Sequence, residues 1–89
     1  MEFEWDPPKH ERNLHERGIG FDEAALIFDG EMIVWADTRA DYGERRFNAI
    51  GEANGKILRV TYTMRGGAVR IVTAWRANRK DRRRWQTRS

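Results

Sequence analysis

The stretch KILRVTYTMRGGAVRIVTAW, residues 56–75, decides the fold of this chain. Apolar and polar side chains alternate over Lys56–Thr63 and again over Ala68–Trp75, and a period of two residues is typical of β-strands. Between them, Arg65-Gly66-Gly67 is a predicted tight turn, because glycine tolerates the backbone angles that hairpin turns require. The stretch therefore predicts an antiparallel β-hairpin.

Two further strands are predicted upstream of this hairpin, over Glu31–Ala36 and Glu44–Ile50. A loop at residues 37–43 joins them, and residues 51–55, GEANG, supply an Asn-Gly turn into the hairpin. The last three strands have short connections, so they predict an antiparallel meander sheet. A short strand is also predicted at Phe3–Trp5, where apolar and acidic residues alternate.

Helices are predicted on either side of the strands. The first runs over Pro7–Arg17, with Asp6 as its cap and proline at its first position. Leu14 is its one clearly apolar residue, so we expect this helix to be loosely anchored. The second runs over Phe21–Phe28, where apolar residues recur with the spacing of one helix face. A short final helix is predicted over Asn78–Trp85.

These elements predict a single α+β domain over residues 1–89, with two N-terminal helices packed on an antiparallel meander sheet and a short C-terminal helix. A chain of 89 residues with 39% hydrophobic residues can bury one modest core. Cysteine is absent, and no apolar run approaches the ~20 residues of a membrane span. The acidic N-terminus is unlike a signal peptide. We therefore expect a soluble, cytoplasmic protein that does not engage a membrane.

Charge is sorted by position along the chain. Residues 1–44 hold twelve acidic and four basic residues, whereas residues 45–89 hold thirteen basic and two acidic ones. The net charge of +3 is thus the difference between a half of −8 and a half of +11. A basic half with interleaved aromatic residues predicts a surface that meets phosphate, as in nucleic acids. The alternative is that the arginines of the short final helix are simply solvated.

Alternation also assigns side chains to the two faces of the sheet. In the last strand it groups Val69, Ile71 and Thr73 on one side and Arg70, Val72 and Ala74 on the other. The apolar residues are expected to pack on the helices, which provide the only apolar layer available. The opposite face is expected to be open and cationic, and to carry Glu44, Arg46, Asn48, Arg59, Thr61 and Arg70. The alternative is that Glu44 and Arg46 form a solvated ion pair with no chemical role.

The two histidines, His10 and His15, are interpreted as surface residues. They are five residues apart on the first helix, which does not suit a shared metal ion. We predict no metal site and no cofactor.

Taken together, the motifs of this chain resemble those of the BrnT toxin family. The resemblance covers residues 3–85 and rests on the opening F-x-W-D-P, the G-x-x-F-x-E-A of the second helix, the Y-G-E-x-R step and the R-I-[IV]-[ST]-A ending. The chain departs from the family pattern in three places, and one of them, Asp81-Arg82 where members often have glutamate before arginine, is a mild change. Many members have Lys-His where this chain has Glu16-Arg17, and many have arginine where this chain has Trp75.

The resemblance implies a RelE-like fold and the function of a bacterial type II toxin. Such a toxin is a metal-independent ribonuclease that cleaves RNA, inhibits translation and growth, and is neutralised by a BrnA-like antitoxin in a hetero-oligomer. The family's polar pattern falls on Glu44, Arg46, Arg65, Arg70 and Arg76. In RelE-like toxins the ribose 2′-hydroxyl attacks the adjacent phosphorus, which makes Glu44 the candidate base and Arg46 and Arg70 a candidate phosphate clamp.

The remaining roles are less constrained. Arg65, on a turn, would reach the leaving group or a flanking phosphate. Arginine is a poor general acid, so the proton donor is water or Tyr62. We expect slow intrinsic cleavage, or cleavage that needs help from the ribosome. Further RNA contacts are predicted at Arg59, Trp75, Arg76, Arg79 and Lys80.

Two other functions compete with this hypothesis. The chain could be a non-catalytic nucleic-acid-binding module that uses the same arginines as phosphate contacts. It could also be a protein-interaction domain whose basic sheet meets an acidic partner. A Glu44→Gln variant discriminates between them, because it removes a catalytic base and leaves phosphate contacts in place.

Overall fold

The computed structural model describes residues 1–88, which form an α+β fold with one five-stranded sheet. The helices are α1 (Pro7–Arg17), α2 (Phe21–Ala24), a 3₁₀ helix that follows it (Ala25–Asp29) and α3 (Arg79–Gln86). The strands are β1 (Phe3–Glu4), β2 (Met32–Asp37), β3 (Arg46–Ala53), β4 (Lys56–Arg65) and β5 (Ala68–Arg76). Each predicted helix and strand is present, although the second helix is partly 3₁₀. No helix in this range is long and apolar enough to cross a membrane.

The sheet has the strand order β1-β5-β4-β3-β2. Strands β2 to β5 pair in sequence as an antiparallel meander, which confirms the predicted pairing and extends it to β2. β1 runs parallel to β5 at the far edge, with Phe3 opposite Val69 and Glu4 opposite Arg70. The N-terminus is thereby brought to the strand that carries Arg70.

A β-bulge in β5 reverses the alternation of its side chains. The consecutive residues Thr61 and Tyr62 of β4 pair with Thr73 and Ile71, so Val72 is an extra residue in β5. The predicted grouping of Thr73 with Ile71 is therefore wrong. Side chains alternate between the two faces, so one extra residue moves every later side chain of the strand to the face opposite the predicted one.

The bulge decides where the side chains beyond it lie. Ala74 enters the core and is 0% exposed, contrary to its predicted grouping with Arg70. Trp75 joins the face of Arg70, whereas Arg76 lies opposite the buried Leu58 and so belongs to the other face.

The hydrophobic core lies between one face of the sheet and the layer formed by α2 and the 3₁₀ helix. Phe21, Ala24 and Ile27 of this layer are each at most 1% exposed. Gly51, predicted in a turn, instead lies in β3 beneath Ile27, where an added β-carbon would come within 2.8 Å of the Ile27 β-carbon. The strand continues through Gly51 because the 3₁₀ helix packs directly on it, and the turn is confined to Asn54-Gly55.

Helix α1 is anchored by polar contacts. Leu14 is 45% exposed, whereas Asn13 is buried and its amide donates to the backbone carbonyls of Ile19 and Ala74, both at 2.8 Å. The expectation of a loosely anchored helix is therefore wrong, because buried hydrogen bonds replace the missing apolar stripe. Ala74 lies on β5 beyond its pairing with β1, so α1 packs along the free part of this strand.

His10 also belongs to the structural framework, and the prediction of a surface residue is wrong for it. The backbone N–H of Phe21 donates to His10 Nδ1 at 2.9 Å, and the imidazole stacks on Trp5 with the ring centroids 5.7 Å apart. This contact ties the start of α2 to α1. His15, in contrast, is exposed as predicted.

Helix α3 covers part of the sheet face opposite the core, which we call the polar face. Asp81 and Trp85 of α3 are buried, and Asp81 pairs with Arg59 of β4 at 3.3 Å. Asn78 and Asp81 form a capping box that fixes the start of this helix. Ile50 of β3, on the same face, is fully buried.

The prediction of an open polar face is therefore wrong at its centre. Asn48 and Thr61 are 1% and 4% exposed, and the Thr61 hydroxyl donates to Asn48 Oδ1 at 2.7 Å. The Arg59 side chain is only 16% exposed. Alternation identified the face correctly, but it could not show that α3 and neighbouring aromatic side chains would cover it.

Candidate active site

The four residues predicted for catalysis meet in one pocket beside the start of α1. The pocket has a volume of about 220 Å³. Two carboxylates, four cationic side chains and two apolar residues line it: Asp6, Lys9, Glu44, Arg46, Arg65, Arg70, Ile71 and Val72. An excess of cations in a small concave site favours an anionic ligand such as a phosphodiester.

Glu44 is the centre of the charged network in this pocket. Its Oε1 accepts a hydrogen bond from Arg65 Nη2 and its Oε2 accepts one from Arg46 Nε, both at 3.2 Å. The bond from Arg65, with a smaller contribution from Arg46, holds the pKa of Glu44 below its usual range, against the opposing effect of burial. The side chain is 24% exposed. Glu44 is therefore an ionised, oriented carboxylate that a ligand can reach.

Arg46 and Arg70 flank the same residue of the central strand. Thr63 of β4 lies opposite Arg46 of β3 and opposite Arg70 of β5, so the two arginines stand two strand spacings apart, roughly 10 Å at the backbone. Arg70 contacts Glu4 at 3.6 Å, and the Arg46 guanidinium lies 4.2 Å from the ring centroid of Tyr42. Their side chains are 26% and 28% exposed. Each guanidinium is thus held by a neighbour and still open on one side.

Asp37 fixes the loop that carries Glu44. Its two carboxylate oxygens accept hydrogen bonds from Arg39 Nε and Nη2, at 2.9 and 2.8 Å, and the Tyr42 hydroxyl lies 3.4 Å away. The bonds from Arg39 hold the pKa of Asp37 far below its usual range, although burial acts in the opposite direction. Sequence reasoning missed this residue, because an aspartate at a strand end has no distinguishing spacing.

Lys9 and Asp6 line the pocket although sequence reasoning did not predict either at the site. Asp6 precedes α1 as predicted, but among the described residues its side chain makes no capping hydrogen bond. The pocket therefore holds a second carboxylate beside Glu44, supplied by the residue before α1. Lys9 lies in the first turn of α1, and only the packing of α1 along β5 brings it to the pocket.

The residues predicted to bind RNA outside the pocket do not form one surface. Arg79 and Lys80 are exposed at the start of α3. Arg76 is exposed on the sheet face opposite Arg70. Arg59 is largely covered and paired with Asp81. These positions stay predictions, but they lie in different environments.

Trp75 lies on the polar face and is partly buried. Its ring centroid is 4.9 Å from the guanidinium carbon of Arg17 and 5.6 Å from that of Arg59. A nucleobase that stacked on this ring would compete with these cation–π contacts, which are worth about 0.5–2 kcal/mol each.

Tyr62 is on the wrong side of the sheet to act as a proton donor, so that suggestion is wrong. It is 9% exposed in the core, and its ring centroid lies 5.1 Å from that of Phe28 and 5.5 Å from that of Phe47. Burial raises its pKa. Its neighbour Thr63 points to the polar face because successive strand residues alternate.

The pocket offers an ionised carboxylate next to three guanidinium groups and one ammonium group. A carboxylate can accept a proton, and cations held at fixed positions can stabilise negative charge that develops on a phosphate. Within residues 1–88, no group of three or more His, Asp or Glu side chains is placed to hold a metal ion.

Residues 5–81 of the chain match the model of the family described as the ribonuclease toxin BrnT of type II toxin–antitoxin systems. The match spans most of the 89 residues and includes every residue that lines the pocket. No curated protein matches the chain.

Proposed function

The chain belongs to the BrnT family of ribonuclease toxins of type II toxin–antitoxin systems, and from this membership we propose that it is a metal-independent, RelE-like endoribonuclease. It cleaves RNA in the cytoplasm and thereby inhibits translation and growth. Its partner is a BrnA-like antitoxin, which neutralises it in a hetero-oligomer. An acidic antitoxin segment would complement the four cations of the pocket.

The observation that carries this proposal is the position of Glu44. Its carboxylate lies between Arg46 and Arg65 in the pocket that also holds Arg70. A proton acceptor is therefore adjacent to the groups that would bind a phosphodiester, which is the arrangement that cleavage by an internal hydroxyl requires.

The proposed reaction uses the ribose 2′-hydroxyl as the nucleophile. Glu44 takes its proton while the 2′-oxygen bonds to phosphorus and the bond from phosphorus to the 5′-oxygen breaks. Arg46 and Arg70 bind the non-bridging oxygens, and their hydrogen bonds strengthen as negative charge develops. The products are a 2′,3′-cyclic phosphate and a 5′-hydroxyl. The arginines thus supply charge stabilisation that metal ions supply in other nucleases.

The electrostatics of Glu44 set an expectation for the rate. A carboxylate whose pKa is lowered by two arginines is ionised at neutral pH but accepts a proton weakly. We therefore propose that intrinsic cleavage is slow and that the ribosome assists it, for example by orienting the 2′-hydroxyl.

One observation favours the non-catalytic alternative. Both oxygens of Glu44 are already paired with arginines, as they would be in a purely structural ion pair beside a phosphate-binding surface. In that case the arginines would bind RNA without cutting it.

The proposed activity is tested by incubating the purified chain with cellular RNA and with ribosome-bound mRNA, with and without EDTA. We expect cleavage fragments that end in 2′,3′-cyclic phosphate, and for each RNA the cleavage rate should be the same with and without EDTA. Loss of cleavage in EDTA would contradict metal independence. RNA that binds and stays intact in every condition would favour the binding module.

A further inference from the structure

The reaction described above lacks a proton donor for the leaving group. The 5′-oxygen departs as an alkoxide unless a proton reaches it, and an unassisted alkoxide is a poor leaving group. Arginine does not give up its proton readily in proteins, so the guanidinium groups of the pocket are poor proton donors. Tyr62 is buried on the opposite side of the sheet. A donor must therefore come from the other polar residues that line the pocket.

Lys9 is the one ammonium group that lines this pocket in the part of the chain that the structure describes. It shares the pocket with Glu44 and Arg70, which places it beside any phosphate that these residues bind. Within residues 1–88, Lys9 forms no ion pair within 4.0 Å, whereas Glu44 and the three arginines of the pocket are all paired. Its protons are therefore not committed to a partner.

The charges around Lys9 favour release of its proton. Partial burial and the nearby Arg46 guanidinium lower the pKa of Lys9, and Asp6 opposes them to a smaller extent. The charged groups that face Lys9 are mainly cationic: Asp6 immediately before α1, Arg12, Glu16 and Arg17 of α1, and Glu44, Arg46, Arg65 and Arg70 of the sheet and its loops. A phosphate bound among them would hold the ammonium in place until charge moves to the leaving oxygen.

The framework beneath Lys9 is rigid enough to position it. Asn13, one turn after Lys9, holds α1 to β5 through its hydrogen bond to the Ala74 carbonyl and to the segment after the helix through its bond to the Ile19 carbonyl. His10 holds α1 to the start of α2. The helix also begins at Pro7-Pro8, which restricts the backbone immediately before Lys9. General acids act only within about 3 Å of the atom that they protonate, so such anchoring is a requirement.

We propose that Lys9 is the general acid of the cleavage reaction. As the bond from phosphorus to the 5′-oxygen breaks, the Lys9 ammonium transfers one proton to that oxygen, while Glu44 receives the proton of the 2′-hydroxyl. Lys9 becomes neutral and Glu44 becomes protonated, so one proton is taken and one is given, and solvent exchange restores both. This assignment rests on the proposed function.

The test uses an RNA oligonucleotide prepared in two forms that differ at one phosphodiester. One form has the natural 5′-oxygen and the other has sulfur in its place, because a thiolate leaves without a proton donor. Lys9→Ala and Lys9→Arg are compared with the wild type and with Lys56→Ala, a control that changes a lysine on β4 outside the pocket. Thermal unfolding of each variant verifies that it is folded.

We expect both Lys9 variants to cut the oxygen substrate at least about 100-fold more slowly than the wild type, the scale of losing a general acid. On the sulfur substrate they should approach the wild-type rate, and Lys56→Ala should behave as wild type on both. The wild-type rate on the oxygen substrate should also fall at alkaline pH as Lys9 loses its proton, and this fall should be absent with sulfur.

Several results would overturn the assignment. Full activity of Lys9→Arg would show that Lys9 acts only as a charge. Equal losses on the oxygen and sulfur substrates would show that Lys9 binds or shapes the site without donating a proton. A wild-type chain that cleaves neither substrate would instead refute the proposed ribonuclease function, and the inference with it.

Discussion

Arg70 and Arg76 lie six residues apart on one strand, yet their side chains leave the sheet on opposite faces. The bulge at Val72 inserts one residue between them and reverses the alternation. Arg70 reaches the pocket with Glu44, whereas Arg76 lies on the face of the core. Two residues that look equivalent in the sequence are therefore expected to differ in function.

Replacing Arg70 with alanine should lower RNA cleavage by roughly a hundredfold or more, the scale of losing one preorganised charge stabiliser. Arg76→Ala, on the same strand but outside the pocket, is the matched comparison: loss of a peripheral RNA contact would lower RNA affinity, and the cleavage rate at saturating enzyme should stay near that of the wild type. Single-turnover cleavage of one RNA substrate measures both. If Arg76→Ala is inactive and Arg70→Ala is active, the assignment of the two residues is reversed.

Asp37 should contribute to stability in a manner that depends on pH. Its pKa is far below its usual value of about 3.9 because Arg39 donates two hydrogen bonds to it. As pH falls, the Asp37 carboxylate is therefore protonated at a higher pH in the unfolded chain than in the folded chain. The stabilisation is fully present above pH ~4 and is lost progressively as pH falls towards the pKa of the folded state.

Thermal unfolding of wild type and Asp37→Asn across a pH series tests this. We expect the variant to be less stable at pH 7, and the difference to narrow below pH ~4. Asp29→Asn, which changes an exposed aspartate, should show no such trend. A difference that stays constant down to pH 2 would mean that the ionised form of Asp37 is not what stabilises the loop.

Elements differ in how far their roles could be predicted from sequence. Alternation identified β3, β4 and β5 and placed Arg46 and Arg70 on one face, because each strand is long enough to show a period of two. The bulge was not predictable, since one extra residue leaves no mark in a short apolar and polar pattern. The approach of α1 to the site was also missed, because its anchor is a polar residue and sequence patterns report apolar ones.

Asn13 rather than Leu14 should therefore hold α1 in place. Asn13→Ala leaves the carbonyls of Ile19 and Ala74 without this donor, at a cost of about 1–3 kcal/mol for a buried unpaired group. For a domain of this size each 1 kcal/mol lowers the melting temperature by about 4–8 °C. Leu14→Ala, at the neighbouring exposed position, should change it little. A larger loss for Leu14→Ala would show that α1 is anchored by apolar packing after all.

At the scale of the whole molecule, the charge that is sorted along the chain is not sorted in space. Ion pairs join the acidic first half to the basic second half, and one carboxylate makes two of them: Glu4–Arg70, Glu23–Lys56, Glu31–Arg88, Glu44–Arg46 and Glu44–Arg65. The sequence asymmetry therefore indicated complementary halves as well as a phosphate-binding surface. In the folded chain, cationic side chains outnumber carboxylates at the pocket, where the cations are Lys9, Arg46, Arg65 and Arg70.

The central claim is that this pocket cuts RNA and does not merely bind it, and Glu44→Gln tests it most directly. The substitution keeps the size of the side chain and removes the base, while the arginines remain. Cleavage rate and RNA affinity should be measured together for wild type, Glu44→Gln and Asp6→Asn, with Glu52→Gln as a control at an exposed position of β3. The account predicts a loss of at least about 100-fold in rate for Glu44→Gln alone, with RNA bound as tightly as by wild type or more tightly. Unchanged cleavage by Glu44→Gln, or a comparable loss in Asp6→Asn alone, would contradict it.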